Sequence, residues 1–153
     1  RHRSNCQMSF NDEVVVGDYE DGRLYAFDLD VYADDDQIQK WLRSWRALPT
    51  GQNNLKRTAH HSLQLDAETG MGLNDGQGSD PQVMLRWSDD GGHTWSNEHW
   101  NSMGKIGTYG TRTIWRRLGM TEKIRDRVYE VSGTDPIKIA IVGAELFITP
   151  TNS

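Results

Sequence analysis

Val83-Met84-Leu85-Arg86-Trp87-Ser88-Asp89-Asp90-Gly91-Gly92-His93-Thr94-Trp95 decides how this chain is read. Val83, Leu85 and Trp87 alternate with Met84, Arg86 and Ser88, the period of a strand with two unlike faces. The following residues fit S-x-D-x-G-x-T-W. A strand that ends near Trp87 and resumes at Thr94 must reverse over a few residues. The carboxylate of Asp90 can accept hydrogen bonds from amides inside that turn. Gly92 can take a positive φ without steric cost. Ser88 and Thr94 can tie the strand ends, and Trp95 can plug the hairpin against a core.

The pattern Ser88-x-Asp90-x-Gly92-x-Thr94-Trp95 resembles an Asp-box. Such boxes occur in sialidases, and also in β-propellers and β-sandwiches with no glycosidase activity. The box carries no chemistry of its own. A sialidase needs an arginine cluster, a tyrosine nucleophile and a glutamate, and no spacing in this chain singles out such a set. An Asp-box domain that binds or cleaves carbohydrate is therefore the alternative reading.

Outward from the turn, the same alternation recurs. Tyr25, Phe27, Leu29 and Val31 share one face of Arg23–Tyr32, preceded by Asp21-Gly22 and by a partner strand over Glu13–Gly17. This predicts a hairpin. Leu63 and Leu65 alternate with polar residues. Thr111–Leu118, Arg127–Ser132, Ile137–Val142 and Ala144–Thr149 complete the set. Many short strands separated by Gly and Asp-Pro predict an all-β chain, an antiparallel sandwich, barrel or propeller piece. One segment is ambiguous. Ile38, Trp41, Leu42, Trp45 and Leu48 fit helical spacing after Asp34-Asp35-Asp36, yet Trp41 and Trp45 also share a strand face. Thr50–Asn54 and Gly70–Pro81 read as surface loops. The glycines of the second follow no strand-to-helix pattern, which argues against a phosphate cradle.

The chain has 153 residues, enough for one ordinary domain or two small ones. It holds 17 Lys plus Arg against 22 Asp plus Glu, a net charge of −5 that argues against a dedicated nucleic-acid binder. One cysteine, Cys6, excludes an internal disulfide and a cysteine zinc cluster. No apolar run approaches the roughly 18 residues of a spanning helix. His60 and His61 are neighbours on a strand and point apart, which argues against a shared metal. Asp34-Asp35-Asp36 lacks the spacing of a calcium loop. Arg116 and Arg117 likewise suit two ion pairs better than one phosphate clamp. There is no G-x-S-x-G and no Walker loop. No catalytic residue, cofactor or metal is expected.

An ordered series of segments completes the reading: Leu63-Gln64-Leu65-Asp66-Ala67-Glu68-Thr69-Gly70; Asp80-Pro81-Gln82-Val83 running on to Gly92; Met103-Gly104-Lys105-Ile106-Gly107; Trp115-Arg116-Arg117-Leu118-Gly119; and Arg125–Val131 with Asp135-Pro136-Ile137-Lys138. The series resembles the C-terminal region of the packaged-DNA stabilisation proteins of short-tailed phages, also called tail accessory factors or tail hubs. Val16-Gly17-Asp18 and Gly22-Arg23-Leu24-Tyr25 resemble the end of the β-rich region before it. The resemblance implies residues 1–57 as the end of a β-rich, propeller-like region and 58–153 as a C-terminal β-domain. It implies an extended Gln37–Ala47. The proteins of that family are several times longer, and the chain starts without Met, so a C-terminal part or a short relative is expected.

The resemblance implies a structural rather than catalytic role in the virion tail, with synthesis in the host cytoplasm. A hub of this kind closes the portal channel and stabilises packaged DNA. It assembles with itself as a ring, expected to be a hexamer, and connects the portal or adaptor ring to the tail needle and tailspikes. DNA passes through the channel without sequence-specific binding, and no membrane is involved. The acidic balance suits a conduit that must release a polyanion. The chain has 6 Trp. Interfaces draw on Trp and Arg. Trp41, Trp45 and Trp100 alternate with polar residues and are the candidate interface residues.

Overall fold

The computed structural model describes residues 3–34, 37–46, 57–121 and 127–151. Two compact units divide the chain between Tyr32 and Ala33. Trp41–Arg46 pairs with Val128–Gly133 and belongs to the second unit. The Thr50–Asn54 loop, Leu48 and the Asp35-Asp36 pair lie outside the described residues.

The first unit is a three-stranded antiparallel sheet of β1 (Ser4–Phe10), β2 (Glu13–Asp18) and β3 (Leu24–Ala26). Asn11 and Asp12 both take positive φ, 51° and 62°, the geometry of a two-residue turn between twisted strands. The β2–β3 hairpin turns where Asp21 accepts a bond from the Arg23 amide at 3.0 Å. β3 ends at Ala26, well short of the strand expected to Tyr32. There Asp28 accepts a bond from the Asp30 amide at 2.9 Å, a side-chain turn that competes with the ladder. Phe27, Leu29 and Val31 are left exposed.

The second unit opens with a short hairpin of β4 (Ala33–Asp34) and β5 (Gln37–Ile38). Its body is two antiparallel sheets. One has the order β10-β7-β12, with β7 at Thr58–Ala67, β10 at Thr113–Arg116 and β12 at Ile141–Pro150. The other has the order β6-β11-β8-β9, with β6 at Trp41–Arg46, β8 at Gln82–Ser88, β9 at His99–Ser102 and β11 at Val128–Gly133. Gln37–Ile38 and Trp41–Arg46 are therefore extended, not helical. Of the segment expected at Ile137–Val142 only Ile141 and Val142 are strand, and they run on through the expected Ala144–Thr149 as the single strand β12, with an irregularity near Gly143 rather than a break.

Alternation decides which side chains meet. Leu63, Leu65 and Trp115 from the first sheet face Val83, Leu85, Tyr129 and Val131 from the second. Met103 and Leu118 fill the ends of this core from the connections. Burying each large apolar side chain contributes roughly 1.5–3 kcal/mol before entropy is counted. The layers close on each other at one side. There the Trp115 indole donates to the His99 carbonyl at 2.8 Å, and the Asn101 amide to the Ile114 carbonyl at 2.9 Å. The chain is all-β, and the second unit is a β-sandwich.

Candidate functional site

The Ser88–Trp95 turn follows β8. Its chemistry starts from one carboxylate. Asp90 accepts from the Ser88 hydroxyl at 2.6 Å, from the His93 amide at 2.9 Å, and from the Thr94 amide and hydroxyl at 2.9 and 2.7 Å. Gly92 takes φ of 104° and donates its amide to the Ser88 hydroxyl at 2.9 Å. These donors, the Ser88 hydroxyl first and then Thr94 and His93, hold the Asp90 carboxyl well below the usual carboxylate range. Every favourable direction around this carboxylate is spent on its own turn, which leaves a group with structural rather than acid–base character.

Two details differ from the sequence reading. β9 begins at His99 rather than Thr94, although the Ser96 amide still reaches the Trp87 carbonyl at 2.8 Å. Trp95 does not join the core. Its indole donates to the Gly92 carbonyl at 3.1 Å, and the Arg86 guanidinium lies 4.6 Å over its ring. Arg86 in turn pairs with Glu130. A depressed carboxyl pKa adds stability above the ordinary carboxylate value and loses it as pH falls toward the folded value. Asp90→Ala is therefore expected to lower the melting midpoint by about 3–6 °C at pH 7, and by less at pH 3. An unchanged melt at pH 7 would show the turn to be independent of its carboxylate.

Asp89, the residue skipped by the pattern, does something the sequence did not signal. Arg127, 2 % exposed, donates to both Asp89 oxygens at 2.6 Å. It also donates to the carbonyls of Leu118 at 2.7 Å and Met120 at 3.2 Å. Burial works against the Arg127 charge, and the Asp89 carboxylate outweighs it, so the guanidinium stays protonated. Nearby, buried His60 bonds Tyr129 Oη through Nδ1 at 2.6 Å and Thr58 Oγ1 through Nε2 at 3.0 Å. This ties β7 to β11 across the two layers. Burial, then the Arg127 charge, lowers the His60 pKa to about 4. Burial raises that of Tyr129 to about 12, against the pull of Arg127. His61, its neighbour in β7, is exposed and bonds Thr149 Oγ1 at 2.8 Å.

The structure separates the three tryptophans. Trp41 and Trp45 are half-buried on β6 and pack against the core, Trp45 with its ring 6.0 Å from that of Tyr129. Trp41 lies over Gly133, its cross-strand partner. A Cβ at Gly133 would come within 2.6–2.8 Å of three indole atoms. Gly133→Ala is expected to displace Trp41 at a cost of about 1–2 kcal/mol, read as a lowered denaturant midpoint; an unchanged midpoint would mean the indole has room to shift freely. Trp100, opposite Met84 on β9, is 59 % exposed and alone of the three stands out from the surface. Among the described residues no group of three His, Cys, Asp or Glu side chains is placed to hold a metal ion.

The family described as Bacteriophage P22 Gp10, beta-sandwich, matches residues 40–149, from the start of β6 nearly to the end of β12. No curated protein matches the chain.

Proposed function

The chain belongs to the bacteriophage P22 Gp10 β-sandwich family, and from that premise we propose that it is a non-enzymatic subunit of a phage tail hub. At the coarser level it is a structural protein of a phage tail. The proposal adds the specific work. The subunit assembles with its copies as a ring, closes the portal channel over packaged DNA, and joins the portal or adaptor ring to the tail needle and tailspikes. DNA passes without sequence-specific contact.

The observation that carries this reading is the family match across the whole sandwich, residues 40–149. The turn chemistry agrees with it. Asp90 is saturated by its own backbone and hydroxyl donors, and the half-buried carboxylate Asp89 is committed to Arg127. Neither is free to serve as a general acid or base, which weighs against a glycosidase reading. DNA-filled heads lacking their hub provide the test. Adding the purified protein is expected to protect the DNA from nuclease. Heads that stay as nuclease-sensitive as untreated ones, with no protein bound, would contradict the proposal.

A further inference from the structure

Charge is distributed unevenly along this chain. Residues 99–121 carry Lys105, Arg112, Arg116 and Arg117 and no acidic residue, while residues 12–36 carry ten acidic residues and one base, Arg23. With a net charge of −5 overall and +4 in the first stretch, everything outside it sums to −9.

The structure gives the basic stretch a defined place. Ile114 and Arg116 have the same parity along β10, the edge strand of its sheet, and share its outer side, with exposed Arg112 of the same parity just before the strand begins. On β7 their cross-strand neighbours are uncharged: Gln64 opposite Ile114 and Ser62 opposite Arg116. Beyond Ser62, on β12, stands Phe147, 61 % exposed; beyond Gln64 stands Glu145. Tyr109, just before this row, is 73 % exposed. Among the described residues Lys105, Arg112, Arg116 and Arg117 form no ion pair. The result is a strip in which exposed Arg112 and Arg116 flank half-buried Ile114, beside exposed Phe147 and Tyr109.

The acidic stretch holds the complementary pattern. Phe27-Asp28-Leu29-Asp30-Val31 alternates apolar and acidic side chains and is exposed throughout, Leu29 to 91 %. We infer that the β10 strip of one copy docks the Phe27–Val31 segment of a second copy. The inference rests on the ring reading above and names its contact. Arginine meets aspartate, and Tyr109, Ile114 and Phe147 meet Phe27, Leu29 and Val31. The apolar half of the match favours this polypeptide over a polyanion, which would use the cations alone. The two surfaces are unlike, so the contact is head-to-tail, the kind that closes into a ring when its rotation permits.

Complementary charge variants of the full chain test it. One variant carries Arg112→Glu and Arg116→Glu; the other carries Asp28→Asn, which keeps the turn acceptor, and Asp30→Lys. All four positions are exposed, and melting confirms folding. The unmodified chain is expected to self-associate, more weakly as salt rises. Each variant alone should associate at least about tenfold more weakly. An equimolar mixture should recover the assembly, because each reversed surface then finds its opposite. If either variant assembles as the unmodified chain does, the contact is elsewhere and the ring reading stands without it. A mixture that stays monomeric overturns the inference, as would loss of duplex-DNA binding by the arginine variant with self-association intact. A monomeric unmodified chain overturns both.

Discussion

Asp89→Ala is expected to destabilise the sandwich by about 3–5 kcal/mol, because it strands a buried guanidinium. Arg127 is 2 % exposed and cannot turn to water without leaving the carbonyls of Leu118 and Met120. At about 2–4 °C per kcal/mol for a chain of this size, the melting midpoint should fall by roughly 10 °C or more. Arg127→Met removes the charge itself and leaves Asp89 at the edge of solvent, 22 % exposed. The double variant should therefore be more stable than Asp89→Ala alone, a coupling that a double-mutant cycle measures directly. Strictly additive losses would show that the two side chains act independently.

Acid should loosen the same region through His60. Its folded pKa lies near 4, below the ordinary histidine value of about 6.5. Between those values the unfolded chain binds a proton that the folded chain refuses. The stability contributed by the neutral ring is complete above about pH 6.5 and is lost progressively as pH falls to about 4. One pKa unit corresponds to about 1.4 kcal/mol, so a loss of about 2–3 kcal/mol is expected across that window. His60→Gln, which cannot titrate, should flatten the stability curve there while costing stability at pH 7. A variant with the same slope as the unmodified chain would remove His60 as its source.

Strand content was legible wherever one face is buried and the other wet. Leu63 and Leu65 on β7 have this pattern; on β8, Met84 and Ser88 are buried beside Val83 and Leu85, yet the alternation of residue types still placed both strands where they lie. The ambiguity at Trp41 and Trp45 is physical: a spacing of four satisfies both a helix and a strand face. Here the ladder to β11 decides for the strand. β1 was missed because its apolar residues are exposed, although Asn11-Asp12 between Phe10 and Val14 is a hairpin signal. β3 was drawn too long because the pattern to Val31 takes no account of the side-chain turn at Asp28.

The Asp90 hydrogen bonds could be written from the sequence because all their partners lie within four residues. Trp95 departed from its expected place because Arg86, on the other face of β8, offers its ring a cation. The Arg127–Asp89 and His60–Tyr129 pairs span 38 and 69 positions, distances at which no local pattern speaks. Only the juxtaposition of β7, β8 and β11 brings them together.

Native mass spectrometry of the purified chain, run from low to moderate salt, tests the account most directly. A hub subunit should give one closed assembly with a single copy number, expected to be six, with little between it and the monomer. A chain that remains monomeric under all conditions, or gives an open ladder of dimers, trimers and longer species with no preferred size, would contradict it.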